Sequence, residues 1–343
     1  MTSAKTPREL EFVRRATHQG TFVTLPCLEV EVDDKILRYA ETNDLIYGRV
    51  LTLYTKEPTT IPWLETMRPD EVLVDIGATI GLYSVFAAVV AGCRVYSFEP
   101  EALNYAELNK NIYLNDLHGR VSAYCLAMSD EQRVGHLHLG AFGAGYSHHD
   151  FNQNTWTKDM VFGRGTTKKE QRVQQGSVST SLDALVASGA VPPPSHIKID
   201  VDGLEHRVMA GCRETLRHPD LKTVLLEVDF SIPECRTLIE EMTALGWRYS
   251  LDQLRTNRSA ILTEEKIQQL WCEQRAGFNY IFFRSDDYAD VFRDFLARYE
   301  PPLGAHGKML RPPKVIGTNP TQPSPLRAMA EGGYRKIRGA MGK

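Results

Sequence analysis

An apolar run that ends in an acid and two glycines, Val72-Leu73-Val74-Asp75-Ile76-Gly77-Ala78-Thr79-Ile80-Gly81, restricts the chain more than any other stretch. Its β-prone residues suit a buried strand. The glycines allow the tight turn and close backbone approach by which such a strand passes into a helix beside a ligand. An α/β domain is therefore expected, with this turn at its nucleotide end. The spacing is not the G-x-G-x-x-G of a dinucleotide fingerprint, because three residues separate Gly77 from Gly81 and an acid stands two positions before the first glycine.

The segments that follow extend the same pattern. Leu82 to Ala91 reads as a helix closed by Gly92, and Arg94 to Glu99 as a second strand ending in an acid, so the unit is β-α-β. Pro100 suits the first turn of the next helix, which Asn115-Asp116 ends. Val121 to Ala127 reads as a third strand followed by a polar turn at Ser129-Asp130. His196 to Val201 and Thr223 to Val228 are two more, again followed by acids. Trp247 to Ser250 and Phe278 to Phe283 are expected to close the sheet as an antiparallel pair. That makes seven strands, mostly parallel. An amphipathic helix carrying Tyr288, Phe292, Phe295 and Leu296 should pack on them.

At the start, residues 1–20 read as a polar lead-in. Strand-like segments in Thr21 to Val32 could form a small cap, Ile36 to Tyr54 is ambiguous, and Ile61 to Met67 fits a short helix. The expected organisation is a lead-in and β cap over 1–60, an α/β domain over 61–300 with an irregular insertion at 140–176, and a flexible tail over 301–343. That tail holds eight Lys or Arg against one acid, Glu331, and seven of the eighteen prolines. The net charge is −3, so the tail at +7 leaves the body at −10, an unsuitable surface for tracking phosphates. Nucleic acid is accordingly not expected as a partner.

Six scattered cysteines without a C-x-x-C pair fit a reducing cytoplasm. No secretory h-region opens the chain, and the most apolar run, Ile80 to Cys93, is too short to span a bilayer. Assembly with further copies of the chain is left open.

In an open parallel sheet, ligands bind at the carboxyl ends of the strands, where Asp75, Glu99, Asp200, Glu227 and Asp229 fall. Glu99 lies 22 residues beyond Gly77, about where an acid meets ribose hydroxyls in a β-α-β unit. NAD and S-adenosylmethionine both satisfy that geometry. A pyrophosphate needs closely packed amides at a helix N-terminus, whereas Asp-x-Gly-x-x-x-Gly sets a carboxylate beside the ligand. This favours S-adenosylmethionine, which carries an ammonium and a sulfonium.

Three blocks resemble the FkbM-type methyltransferases: Val74 to Ser84; Ser97-Phe98-Glu99-Pro100 with Asn104, Leu108, Asn111 and Asn115; and Ile197-Lys198-Ile199-Asp200-Val201-Asp202-Gly203-Leu204-Glu205. Thr79 stands where that family commonly has Asn, and Asp202 where it commonly has Glu. The resemblance implies a Rossmann-like class I methyltransferase with helices on both faces of its sheet, acting on a hydroxyl oxygen of a small molecule or glycan. It further implies that Asp75 and the Gly77, Ala78, Thr79 and Gly81 turn hold the methionine end of S-adenosylmethionine. Glu99 with Asn104 would meet the ribose side, and the turn from Ala127 to Asp130 the adenine. Asp200 would be nearest the methyl, with Asp202 and Glu205 beside it as catalytic candidates.

Each sharp assignment has a plainer rival. Asp202 and Glu205 have capping-box spacing. His206 could be a base, but a helix-surface histidine is the better reading. His148-His149-Asp150 has metal-ligand chemistry, yet a substrate-facing or solvated loop suits adjacent residues that point apart. A cation at Asp200, Glu227 and Asp229 is conceivable, and no metal is assigned. For function, the rivals are an RNA methyltransferase using the basic tail, a non-catalytic S-adenosylmethionine-binding scaffold and an NAD oxidoreductase. Against base amino-methylation, the fourth strand ends in Asp200-Val201-Asp202 and not in an Asn-Pro-Pro-aromatic turn.

Overall fold

The computed structural model describes residues 13–20, 23–151, 173–230, 232–255, 262–263, 265–266, 269 and 278–298. The tail expected over 301–343 lies outside them, as does most of the insertion.

The described chain opens as an antiparallel ribbon of β1 (Val13–Gln19), β2 (Thr24–Val32) and β3 (Lys35–Ala40). Most of the polar lead-in that is described is thus a strand. The side chains of β1 are mostly exposed, but its backbone pairs with β2 from Thr24 to Val30, and backbone pairing is what a strand requires. Glu29 on β2 ties the ribbon across its width, accepting from Arg14 at 2.5 Å and Arg38 at 2.8 Å. The ambiguous stretch after it resolves into β3 and α1 (Asp44–Leu51), which Asn43 caps by accepting from the Ile46 amide at 2.9 Å.

After α2 (Thr60–Glu65) comes β4 (Val72–Ile76), buried at all five positions. It is a central parallel strand, which explains its unbroken apolar character. Helix α3 (Leu82–Phe86) widens into a π-turn over Ala87–Ala91 and stops at Gly92, whose φ of +78° glycine adopts without strain. Strand β5 (Arg94–Phe98) and α4 (Ala102–Leu114) follow. Pro100 falls just outside α4, because the Glu101 side chain supplies the cap by accepting from the Asn104 amide at 2.7 Å.

The third strand, β6 (Val121–Tyr124), is shorter than its sequence suggests. Ala127–Met128 (β7) leaves it for a second, four-stranded sheet of order β7-β10-β8-β9, completed by β8 (Arg133–His138), β9 (Asp150–Phe151) and β10 (Gln174–Thr180). Within the expected insertion, residues 140–149 are irregular, Asp150–Phe151 pairs with β8, and the last residues, from Gln174, belong to β10. Helix α5 (Leu182–Ala187), β11 (His196–Ile199), α6 (Glu205–Ala210), β12 (Thr223–Val228), α7 (Leu238–Ala244), α8 (Asp252–Arg255), β13 (Phe278–Phe283) and α9 (Asp287–Arg298) complete the chain.

The main sheet has the order β13-β12-β11-β4-β5-β6, parallel except for β13, which runs against β12. Among the described residues it has six strands, not the seven expected. Trp247 to Ser250 makes only an isolated bridge from Arg248 to Phe283. Gly246, at φ +85°, ends one helix and Asp252 begins the next, so the segment is too short to pair further. Alternation along β4 divides the core: Leu73 faces one hydrophobic cluster with Phe86, Val95 and Leu108, while Val74 and Ile76 face another with Ile197, Val208 and Met242. Helices cover both faces. Among the described residues no helix is long and apolar enough to cross a membrane.

Candidate functional site

The site lies at the carboxyl ends of β4, β5, β11 and β12. The amides of Gly77 and Ala78 both donate to the Phe98 carbonyl, at 3.0 and 3.1 Å, which bends the chain across the end of β5 as it leaves β4. Gly77 has φ +81°, and a Cβ there would lie 1.8 Å from the Asp200 carbonyl oxygen. At Gly81, φ +76°, a Cβ would lie 2.2 Å from the Leu108 side chain of α4. Only glycine admits these approaches. Thr79 between them is also left-handed, at φ +51°.

Glu99 fastens this turn. One carboxylate oxygen accepts from the Thr79 amide and the other from the Glu101 amide, both at 2.8 Å. Burial nevertheless pushes the carboxyl up to about 7 against those two donors. Asp75 sits beneath the turn, 1% exposed. Ser84 donates to its Oδ2 at 2.5 Å, and Oδ1 has no hydrogen-bond partner among the described residues. Burial raises its pKa, with Lys198 pulling the other way.

Lys198 is the feature that sequence reasoning missed. Its side chain is 3% exposed inside the sheet, beside Asp75 in register, and its ammonium donates to Asp200 Oδ2 at 2.7 Å and lies 5.5 Å from the Tyr83 ring centroid. Burial disfavours the ammonium, but Asp200, Asp75 and Glu57 outweigh it and raise its pKa. Burial likewise disfavours an ionised Asp200, and there Lys198 followed by Lys56 holds it well below the usual carboxylate range. Lys56 and its partner Glu57, 3.0 Å apart, come from the segment between α1 and α2, another contribution the sequence reading did not find. The available signal was a lysine between two isoleucines in Ile197-Lys198-Ile199, a placement that burial allows only with a partner.

Asp202 has φ +56°, which turns its carboxylate to the His148 amide, accepted at 2.6 Å. The expected capping box is therefore not formed. Glu205, the first residue of α6, folds back alone to accept from Val201 and Gly203 at 2.9 and 3.1 Å, and burial raises its pKa to about 7. Oxygens of Asp200, Asp202 and Glu227 lie within 4.8 Å of one another. Asp202, and not Asp229, is thus the third acid grouped with Asp200 and Glu227, and the cation that meets Asp200 is Lys198. No metal is assigned.

The remaining candidates each have partners of their own. Buried Asn104 clamps the loop ahead of β9, accepting from the Gly145 amide at 2.7 Å and donating to the Tyr146 carbonyl at 2.9 Å. Ala127 is buried in β7, opposite Ser179. Asp130 pairs with Arg207 at 3.1 Å. His149 bonds to its own loop through the Tyr146 carbonyl and Gly140 amide, so His148, His149 and Asp150 form no common ligand set among the described residues. His206 reaches the Cys235 thiol at 4.0 Å and is a half-buried helix residue.

Strand order, the glycine turn and carboxylates at successive strand ends define a class I methyltransferase-like α/β fold. A family profile described as the methyltransferase FkbM domain matches residues 75–249, just over half the chain, and the chain belongs to that family. Two curated relatives are similar to it. The 31-O-demethyl-FK506 methyltransferase FkbM of Streptomyces tacrolimicus is 28% identical over 176 residues, 47% of this chain and 66% of the relative. The hexuronic acid methyltransferase AglP of Haloferax volcanii is 24% identical over 178 residues, 52% of this chain and 65% of the relative. The chain thus spans slightly under two thirds of each. Among solved structures, a methyltransferase FkbM from Methylobacillus flagellatus aligns at 13% identity and TM-score 0.39, covering 70% of this chain and 50% of the other.

Proposed function

We propose that the chain is an S-adenosylmethionine-dependent O-methyltransferase whose acceptor is a hydroxyl of a sugar, glycan or polyketide-like metabolite. The observation that carries this is the ring of carboxylates, Asp75, Glu99 and Asp200, around a glycine turn in a chain of the FkbM family. The residues fit the cofactor: Asp75 keeps a buried oxygen without a hydrogen bond among the described residues, and the glycines let the backbone of the turn approach the Asp200 strand end with no side chain between them. When bound, S-adenosylmethionine supplies an electrophilic methyl on a cationic sulfonium.

Glu99 keeps lone pairs beyond those given to Thr79 and Glu101 and is assigned the ribose hydroxyls. The backbone of Gly77 to Gly81 lies along the methionine end, over Asp75, and the Ala127 to Asp130 turn borders the adenine. Asp200, its charge fixed by Lys198, orients the acceptor, and alignment of the reacting atoms supplies most of the rate. Asp202 and Glu205 shape that end of β11 through backbone contacts. The names of the two relatives, one for a 31-O-demethyl compound and one for hexuronic acid, support a hydroxyl-bearing acceptor. The five described cysteines are free, which fits a reducing, cytoplasmic setting.

The test has two stages. S-adenosylhomocysteine, and not NADH, should raise the melting temperature. Labelled S-adenosylmethionine should then transfer label to a member of a panel of saccharide and polyketide hydroxyls. Stabilisation by NADH alone would make the chain an oxidoreductase, and binding without transfer to any acceptor would leave a scaffold.

A further inference from the structure

The end of β11 gathers more acid than its cations can balance. Asp200, Asp202 and Glu227 are mutually within 4.8 Å, and Glu205 is buried beside them at the start of α6. Asp75 faces the same space from β4, and Glu57 from the segment between α1 and α2. Against these six carboxyls stand the ammonium groups of Lys198 and Lys56, with the Arg49 guanidinium of α1 facing Lys56 and Tyr83. Tyr83 also faces Asp200 from α3, and His148 faces Asp202 from the loop ahead of β9. In so confined a volume not every carboxyl can carry charge, because neighbouring carboxylates repel and burial withholds solvent. Carboxyl oxygens of Asp200 and Glu227 lie within 4.8 Å of each other, and the Lys198 ammonium, 2.7 Å from Asp200 Oδ2, favours the charge on Asp200, so the proton such a pair keeps falls to Glu227.

We propose that Asp200 and Glu227 work as a one-proton carboxyl pair in which Glu227 holds the resident proton, Asp200 is the carboxylate that receives the acceptor's proton, and Lys198 is its fixed counter-charge. The proposal rests on the O-methyltransferase reading and deepens it. Glu227 fits its part: the Asp200 charge, more than burial, pushes it up to about 10, with Glu205 and Asp202 adding to the effect. In the step itself, a lone pair of the acceptor oxygen forms the C–O bond, and the methyl's bond to sulfur breaks with its electron pair going to sulfur. The O–H proton passes to Asp200. The pair then holds two protons and returns one to solvent past Asp200, whose side chain is 19% exposed. Glu227 is a positioning residue in this scheme, since it acts through Asp200.

Infrared spectroscopy of the full chain in the absence of any acceptor tests the proton directly. At pH 9, where Glu99 and Glu205 have ionised, the wild type should keep a protonated-carboxyl carbonyl band that fades as the pH is raised through about 10. Glu227→Gln should remove the band. Asp200→Asn should remove it as well, since Glu227 then loses the neighbour that keeps it neutral. A wild type without the band at pH 9, or a band that survives Glu227→Gln, overturns the pair. Because the wild-type titration needs neither turnover nor a variant that folds, its outcome is independent of whether methyl transfer is later observed.

Discussion

Gly77 lies so close to the carbonyl of Asp200 that a Cβ on the glycine would stand 1.8 Å from that oxygen. One backbone contact thus joins the turn assigned to the cofactor with the strand end assigned to the acceptor. Gly77→Ala should force the two apart and strain a left-handed φ. A melting temperature lower by roughly 5–10 °C is expected, together with weaker S-adenosylhomocysteine binding. Scanning calorimetry giving a value within about 2 °C of wild type would show that the contact tolerates a methyl group.

Much of this end of the molecule could be read from the sequence because its signals are local. Val72 to Gly81 announces its own strand and turn, and Glu99 follows at β-α-β distance. What could not be read depends on partners distant in the chain. Lys198 becomes intelligible only when Asp75 is its neighbour on the next strand. Asp130 is a turn residue in sequence, and only the fold gives it Arg207. The second sheet escaped notice for a related reason: β8 and β10 carry exposed valines and small polar residues, so they lack the alternation of a half-buried strand and are held by pairing with each other.

Glu99→Gln should weaken S-adenosylhomocysteine binding by about tenfold or more, the cost of replacing a charged hydrogen-bond acceptor by a neutral one. Its pH dependence has a definite sign. The ribose hydroxyls donate to the ionised form, and the free carboxyl titrates at about 7. Wild-type affinity should therefore rise as the pH is raised through 7, and Glu99→Gln should flatten that rise. Calorimetry at pH 6 and pH 8 that gives equal wild-type affinities would remove Glu99 from the ribose site.

Lys198→Met should leave Asp200 as a buried carboxylate without its principal counter-charge. Losing one partner of a buried pair costs about 3–5 kcal/mol, measurable by urea denaturation at pH 7. Asp200 has a lowered pKa in the folded chain, so the stability it confers is present above the unfolded carboxylate pKa, about 3.9, and is lost as the pH falls through and below that value. The gap between wild type and Lys198→Met should narrow accordingly in acid. Adding Asp200→Asn to Lys198→Met should recover much of the loss. A double variant as unstable as the sum of the two single ones would mean that the residues contribute independently.

At the opposite ends of the same strands, a chain of hydrogen bonds has a purely structural part. Trp63 Nε1 donates to Thr223 Oγ1 at 2.7 Å, and Trp can only donate. The Thr223 hydroxyl is thereby free to donate to His196 Nδ1, also at 2.7 Å, which places the imidazole proton on Nε2, facing Glu71 at 3.0 Å. Burial opposes ionisation of Glu71, but hydrogen bonds from His196 and Lys222 hold it at about 2. Burial keeps His196 neutral by lowering its pKa. Thr223→Val has nearly the shape of threonine but neither accepts from Trp63 nor donates to His196, so it orphans two buried groups at about 1–3 kcal/mol each. The expected result is a loss of about 2–5 kcal/mol in urea denaturation, with S-adenosylhomocysteine affinity unchanged in the folded protein. Because Thr223 and His196 begin the strands that end near Asp200 and Glu227, a parallel loss of ligand affinity would show instead that the register of β11 against β12 transmits the defect along the sheet.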